Sequence, residues 1–187
     1  MEQIEIRIHS RGGSGGKTTG QAIAETALAE KKWVQAYSEF GPERAGSPVQ
    51  TYVKINDKKI LSYSGIKHAE IVIVLDESLI DEKVVYNIPS TCIMIINTNK
   101  DVKSKLKRLG FNGFIYTVDA TKIALETIGK NLPSLAIIGA MIKATKDNVI
   151  KMNTFRERIK RVLEGKEEMI NSNIKAIERV YNEVKKL

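Results

Sequence analysis

The chain is poor in cysteine, proline and aromatic residues. Of its 187 residues one is cysteine, four are proline, and 6% are Phe, Trp or Tyr. A single thiol, Cys92, excludes a disulfide framework within the chain, and iron–sulfur clusters normally need about four thiolates, so an electron-carrying cluster would have to sit on another chain. Cys92 lies in the apolar run Thr91-Cys92-Ile93-Met94-Ile95-Ile96 and reads as a buried structural thiol. Long hydrophobic runs are missing too. The most apolar segments, 71–75 and 135–142, fall far short of the roughly 20 residues that span a bilayer, which predicts no membrane association. Met1-Glu2-Gln3-Ile4 passes straight into a strand pattern without a basic segment or a small-residue cleavage site, so the expected location is the cytoplasm.

What the chain has in excess is positive charge, a formal +8 with a pI near 9.5. The lysines are interleaved with acids and spread along the chain, aromatics are few, and helix-turn-helix, RNP and zinc signatures are lacking. Nucleic acid is therefore not the expected partner. A phosphate-rich small ligand fits the excess charge better. His9 and His68 do not have a metal-site spacing; His9 ends a strand beside the loop, in reach of a ligand there, and reads first as a satisfied structural histidine.

Ile4, Ile6 and Ile8 alternate with Glu5, Arg7 and His9, the period of a strand, and a glycine-rich loop follows. From Lys17 the pattern turns helical, with Gly20, Ile23, Ala24, Ala27 and Leu28 on one face and an end near Glu30-Lys31-Lys32. Further strands are predicted at 34–37, 51–55, 71–75, 92–96 and 114–118. Several are continuous aliphatic runs, which suit parallel strands covered on both faces. Residues 51–55 and 60–61, flanking Asn56-Asp57-Lys58-Lys59, read as a hairpin. Helices are expected at 121–130, 134–145, 154–164 and 167–186, the last with Ile170, Ile174, Ile177, Tyr181 and Val184 along one face that docks on the chain's own domain or on a partner. The expected fold is a three-layer α/β domain with a mostly parallel, mixed sheet flanked by helices: a core over 1–150 and a helical extension over 151–187.

Two segments carry chemistry. The first, Arg11-Gly12-Gly13-Ser14-Gly15-Gly16-Lys17, joins a strand to a helix. Closely spaced glycines let backbone N–H groups approach an anion, and the helix N-terminus adds partial positive charge. Gly16-Lys17-Thr18 invites a P-loop reading with Asp76 as the magnesium carboxylate, yet the first glycine of that motif would fall at position 11, which is Arg11. A dinucleotide fingerprint fails at Thr18. A P-loop-like ATPase or GTPase stays open as the alternative on local chemistry. The second segment is Glu39-Phe40-Gly41-Pro42-Glu43-Arg44-Ala45-Gly46-Ser47-Pro48-Val49. Its glycines and prolines fix a loop, and Glu43 and Arg44 put two charges on it.

This second segment closely resembles the F-G-P-E-R-x-G-x-P-V signature of the gamma subunits of ketoacid:ferredoxin oxidoreductases. The glycine loop resembles that family's G-R-G-G-Q-G, with Ser14 in place of the glutamine and Ser10 in place of the first glycine. The likeness continues in order through 116–121, Asn131-Leu132-Pro133-Ser134, Ile138-Gly139-Ala140 and 171–176. The resemblance implies a gamma subunit, inactive alone, of a complex that interconverts a 2-oxoacid plus coenzyme A with an acyl-CoA and carbon dioxide while exchanging electrons with ferredoxin. The Gly41-Pro42-Glu43-Arg44 form looks closest to the pyruvate or branched-chain versions. It further implies that coenzyme A is held at or near Arg11 to Lys17 and Gly41 to Arg44, with no catalytic residue on this chain. Thiamine diphosphate, Mg2+ and the iron–sulfur clusters are then expected on the partner alpha, beta and ferredoxin-like delta subunits.

Overall fold

The computed structural model describes residues 3–40, 46–61, 65, 66 and 68–187. Among these, seven strands form one sheet: β1 (Ile4–Arg11), β2 (Trp33–Phe40), β3 (Pro48–Asn56), β4 (Ile71–Val74), β5 (Ile93–Asn97), β6 (Phe114–Val118) and β7 (Lys185–Lys186), in spatial order β2-β3-β1-β4-β5-β6-β7. Strands β1, β4, β5 and β6 are parallel. Strands β2 and β3 add an antiparallel ribbon at one edge and β7 an antiparallel stub at the other. The expected mixed, mostly parallel sheet is the one observed.

Helices α1 (Gly16–Ala29), α4 (Ala120–Ile128), α5 (Pro133–Ala144), α6 (Met152–Val162) and α7 (Glu167–Glu183) pack on one face. The short α2 (Glu82–Val85) and α3 (Lys103–Arg108) cover part of the other. Strand β4 reads Ile-Val-Ile-Val and is buried throughout, because a strand sandwiched between two helical layers has no solvent side. Helix ends follow local chemistry. The Asp119 carboxylate accepts from the Lys122 amide to start α4, Gly129 in the left-handed region stops it, and Pro133 opens α5.

The tail belongs to the same core. Phe155, Ile159, Ala176, Ile177 and Val180 join the cluster that contains Ile6, Ile8 and Ile23. Helix α7 lies close on α5, where a Cβ at Gly139 would stand 2.4 Å from the Ile177 carbonyl oxygen, so the stripe docks on the chain itself. No helix among the described residues is long and apolar enough to cross a membrane.

Three expectations are corrected. Residues 51–55 do not pair with 60–61: β3 has β1 on one side and β2 on the other, leaving no free edge, and Ile60 is buried as a core side chain instead. Helix α7 stops at Glu183 rather than running to Lys186, since Lys185 and Lys186 gain ladder partners on β6. Leu28 is 56% exposed, because it lies about 100° around the helix from Ala27, beyond the buried face.

Candidate functional site

In open α/β sheets ligands bind outside the carboxyl ends of the strands, at the point where the connections change direction. Here that point lies between β1 and β4. The chain leaves β1 through the glycine loop to α1 on one face, while α2 follows β4 on the opposite face. The loop after β1 and the turn after β4 therefore face each other across the crevice.

Most of the glycine loop's polar groups are already engaged. The Ser14 hydroxyl accepts from the Arg11 amide at 3.0 Å and donates to the Arg11 carbonyl at 2.8 Å, closing the turn on itself. The Arg11 guanidinium donates to Asp76 Oδ2 at 2.7 Å, Ser78 Oγ at 2.7 Å and the Gly46 carbonyl at 3.1 Å. The Gly12 amide donates to the Ser47 carbonyl at 2.8 Å. These contacts fasten the first motif loop to the end of the second and to the turn after β4.

The glycines divide into two kinds. A Cβ at Gly15 would lie 2.5 Å from Ser134 Cβ at the start of α5, and one at Gly16 would overlap the Ser10 hydroxyl, so both are needed for packing. Gly13 has open space around it and a φ of 87°, so there the requirement is backbone conformation alone. The Thr19 hydroxyl donates to the Ser134 carbonyl at 2.8 Å and locks α1 to α5. Sequence reasoning had noted Ser134 in a motif but had not joined it to this loop; no local signal links residues so far apart.

What remains open to a ligand is the N-terminus of α1. The amides of Gly16, Lys17 and Thr18 precede the helix's first internal bond, from Thr19 N to Gly15 O at 2.9 Å, and the Lys17 and Thr18 residues are exposed. Such amides and the helix dipole suit a phosphate. Gly41, Pro42, Glu43 and Arg44 lie outside the described residues, although the loop's last members, Gly46 and Ser47, are placed against Arg11 and Gly12.

Asp76 is not a free metal carboxylate. It is ion-paired with Arg11 and accepts from the Ser78 amide and hydroxyl, capping the turn at 77–79. Partial burial pushes its carboxyl up, but the Ser78 and Arg11 hydrogen bonds outweigh that and hold it below the usual range. The magnesium-site reading loses its ligand.

His9 is nine-tenths buried, and burial, reinforced by the neighbouring Arg7 charge, pushes its imidazole down to about 3, so it is neutral at pH 7. Its Nε2 has no partner among the described residues, so it is not the satisfied structural histidine expected. Cys92 is fully buried and its thiol is pushed up to about 12 by burial, a poor donor for any cluster. Among the described residues no three His, Cys, Asp or Glu side chains gather in a way that could hold a metal.

A family profile described as pyruvate ferredoxin/flavodoxin oxidoreductase matches residues 5–183. The chain is 37% identical over 184 residues to the pyruvate synthase subunit PorC of Thermotoga maritima, covering 97% of this chain and 95% of that protein. It is 39% identical over 181 residues to the pyruvate/ketoisovalerate oxidoreductases common subunit gamma of Thermococcus kodakarensis, covering 96% of both. The crystal structure of pyruvate oxidoreductase subunit PORC from Thermotoga maritima is similar with a TM-score of 0.89 and 34% identity, over 100% of this chain and 99% of that one. A 2-oxoglutarate:ferredoxin oxidoreductase from Magnetococcus marinus shares the fold at a TM-score of 0.80 and 17% identity, over 97% of this chain and 31% of that one.

Proposed function

The chain belongs to the pyruvate ferredoxin/flavodoxin oxidoreductase family, and from that premise we propose how it serves the enzyme. It is the gamma subunit of a 2-oxoacid:ferredoxin oxidoreductase; the relative from Thermococcus kodakarensis is named a common subunit gamma and that from Thermotoga maritima a pyruvate synthase subunit. The 2-oxoacid is pyruvate or a branched-chain acid, following the pyruvate and ketoisovalerate in those names. Its part is to hold coenzyme A and to help assemble the complex.

The observation that carries this reading is the convergence of the two motif loops: Arg11 and Gly12 are hydrogen-bonded to Gly46 and Ser47 at the mouth of α1. The amides of Gly16, Lys17 and Thr18, with the Lys17 ammonium, would take a phosphate of coenzyme A. Arg44 would add a charge-assisted contact, with Glu43 orienting it. The related enzyme from Magnetococcus marinus is described with 2-oxoglutarate, coenzyme A and succinyl-CoA bound, which agrees with a coenzyme site in this family of folds.

Thiamine diphosphate would supply the carbanion chemistry of decarboxylation. With one cysteine this chain cannot hold an iron–sulfur cluster by itself. Following the family resemblance, thiamine diphosphate, Mg2+ and the clusters are assigned to alpha, beta and delta partners, and the complex to the cytoplasm, where a lone unpaired cysteine is at home.

The test is steady-state kinetics of the assembled complex carrying Lys17→Ala or Arg44→Ala. Each is expected to raise the KM for coenzyme A by roughly tenfold with kcat and subunit content unchanged, as for loss of one charge-assisted contact. An unchanged KM in both variants would remove the coenzyme role from these loops. Magnesium-dependent ATP hydrolysis by the chain alone would restore the P-loop alternative.

A further inference from the structure

Away from the glycine loop, on the sheet face opposite α1, lies a cavity of about 460 Å³ lined by Arg7, Gln50, Tyr52, Ile66, Glu82, Lys83 and Tyr86. Arg7 is 6% exposed. One of its terminal nitrogens, Nη2, donates to the Val84 and Tyr86 carbonyls at 3.0 and 3.1 Å, whereas its Nε is buried with no partner among the described residues. No carboxylate among the described residues forms an ion pair with it. Burial already lowers its proton affinity. A buried guanidinium without a counter-charge is an expensive arrangement, and here it stands in the wall of an open cavity.

The lining also says which anion would fit. Its ionisable side chains are Arg7, Lys83 and Glu82 besides the tyrosines, leaving one net positive charge, which a single negative charge balances and a phosphate dianion exceeds. The Tyr52 hydroxyl is shared between Gln50 Oε1 at 2.6 Å and the Glu39 carboxylate at 3.2 Å, so it offers mainly a ring. Tyr86 is 72% exposed and Ile66 completes an apolar wall.

We propose that this cavity is a binding site for a monocarboxylate with an apolar body, its carboxylate meeting the Arg7 guanidinium and Lys83, its body lying among Tyr52, Tyr86 and Ile66. The site is separate from the coenzyme loops, and its failure would leave that assignment untouched.

Equilibrium dialysis of the full chain against radiolabelled benzoate, with benzamide as the neutral isostere, tests it. Benzoate is expected to bind one site with a dissociation constant on the order of 1 mM, while benzamide does not compete. Arg7→Lys should abolish binding. Should that variant fail to fold, Lys83→Ala, at the solvent edge of α2, should weaken binding by a factor of about 3. Absence of saturable benzoate binding, or equal competition by benzamide, would overturn the proposal. Repeating the measurement on the assembled complex separates two sources of carboxylate. Binding that persists and is reduced by Lys83→Ala assigns the site to a free acid, and binding lost on assembly assigns the carboxylate to a neighbouring subunit.

Discussion

In the β4–β5 half of the sheet, Val72, Val74, Met94 and Ile96 face α2 and α3 while Ile71, Ile73 and Ile95 face the larger helical layer, all buried. In the β1–β3 half, Ile6, Ile8, Val53 and Ile55 fill one face, but Glu5, Arg7, His9, Gln50, Tyr52 and Lys54 occupy the other. Both halves keep most water from their inner side chains: Arg7, His9, Tyr52 and Lys54 are all under 10% exposed, although a cavity opens beside Arg7 and Tyr52. The first half excludes water with hydrocarbon, which tolerates burial at no electrostatic cost. The second buries polar groups, each needing a partner, and some lack one. Cohesion is therefore concentrated in the parallel half, and unspent chemistry in the antiparallel one.

Five substitutions break or sharpen that contrast. Ile73→Ala should cost about 2–5 kcal/mol in urea denaturation, the largest effect, because β4 is enclosed on both sides. Next comes Gly15→Ala, at the rim between the halves. It adds left-handed strain to a collision with Ser134, and about 2–4 kcal/mol is expected. Gly13→Ala, with the same backbone requirement and no neighbour, should cost only about 1 kcal/mol. A similar loss from both would mean that the Gly15–Ser134 packing is slack.

His9 gives the polar half a pH signature. Its folded pKa of about 3 lies below the ordinary value of 6.5, so between those values the unfolded chain binds the extra proton. Stability from this group is whole above pH 6.5 and falls as the pH drops towards 3, by about 2 kcal/mol between pH 6.5 and pH 5. His9→Gln should flatten that part of the denaturation profile. An unaltered slope would mean that the imidazole charges readily in the folded state. Smallest is Asp76→Asn, which breaks a partly exposed ion pair and should cost below about 1 kcal/mol, less at high salt, while leaving both cores intact.

Much of this was legible without coordinates. The uninterrupted apolar run 71–75 can only be a strand hidden on both faces or a buried helix, and its shortness favours the strand observed at Ile71–Val74. The glycine loop between a strand and a helix was also plain, as were helices α4 to α7 to within a few residues at their ends. The site was read less completely. Arg11 and Ser14 looked like ligand contacts, and their hydrogen bonds within the chain to Asp76, Ser78 and Gly46 and across the closed turn went unforeseen, because nothing near them in sequence announces those partners. Arg7 looked like any outward residue of an alternating strand, since a period of two cannot tell water from a second buried layer.

The order of amino acids alone settled the kind and approximate place of the long strands and helices, because backbone preference and side-chain periodicity are local. Which strand lies beside which is decided by packing. β3 was drawn to β1 and β2 rather than to residues 60–61, Arg11 found Asp76 across 65 positions, and the last lysines joined β6. Each of those choices sets hydrogen bonds and buried area against the entropy of closing a long loop, and that balance exists only once the whole chain is assembled.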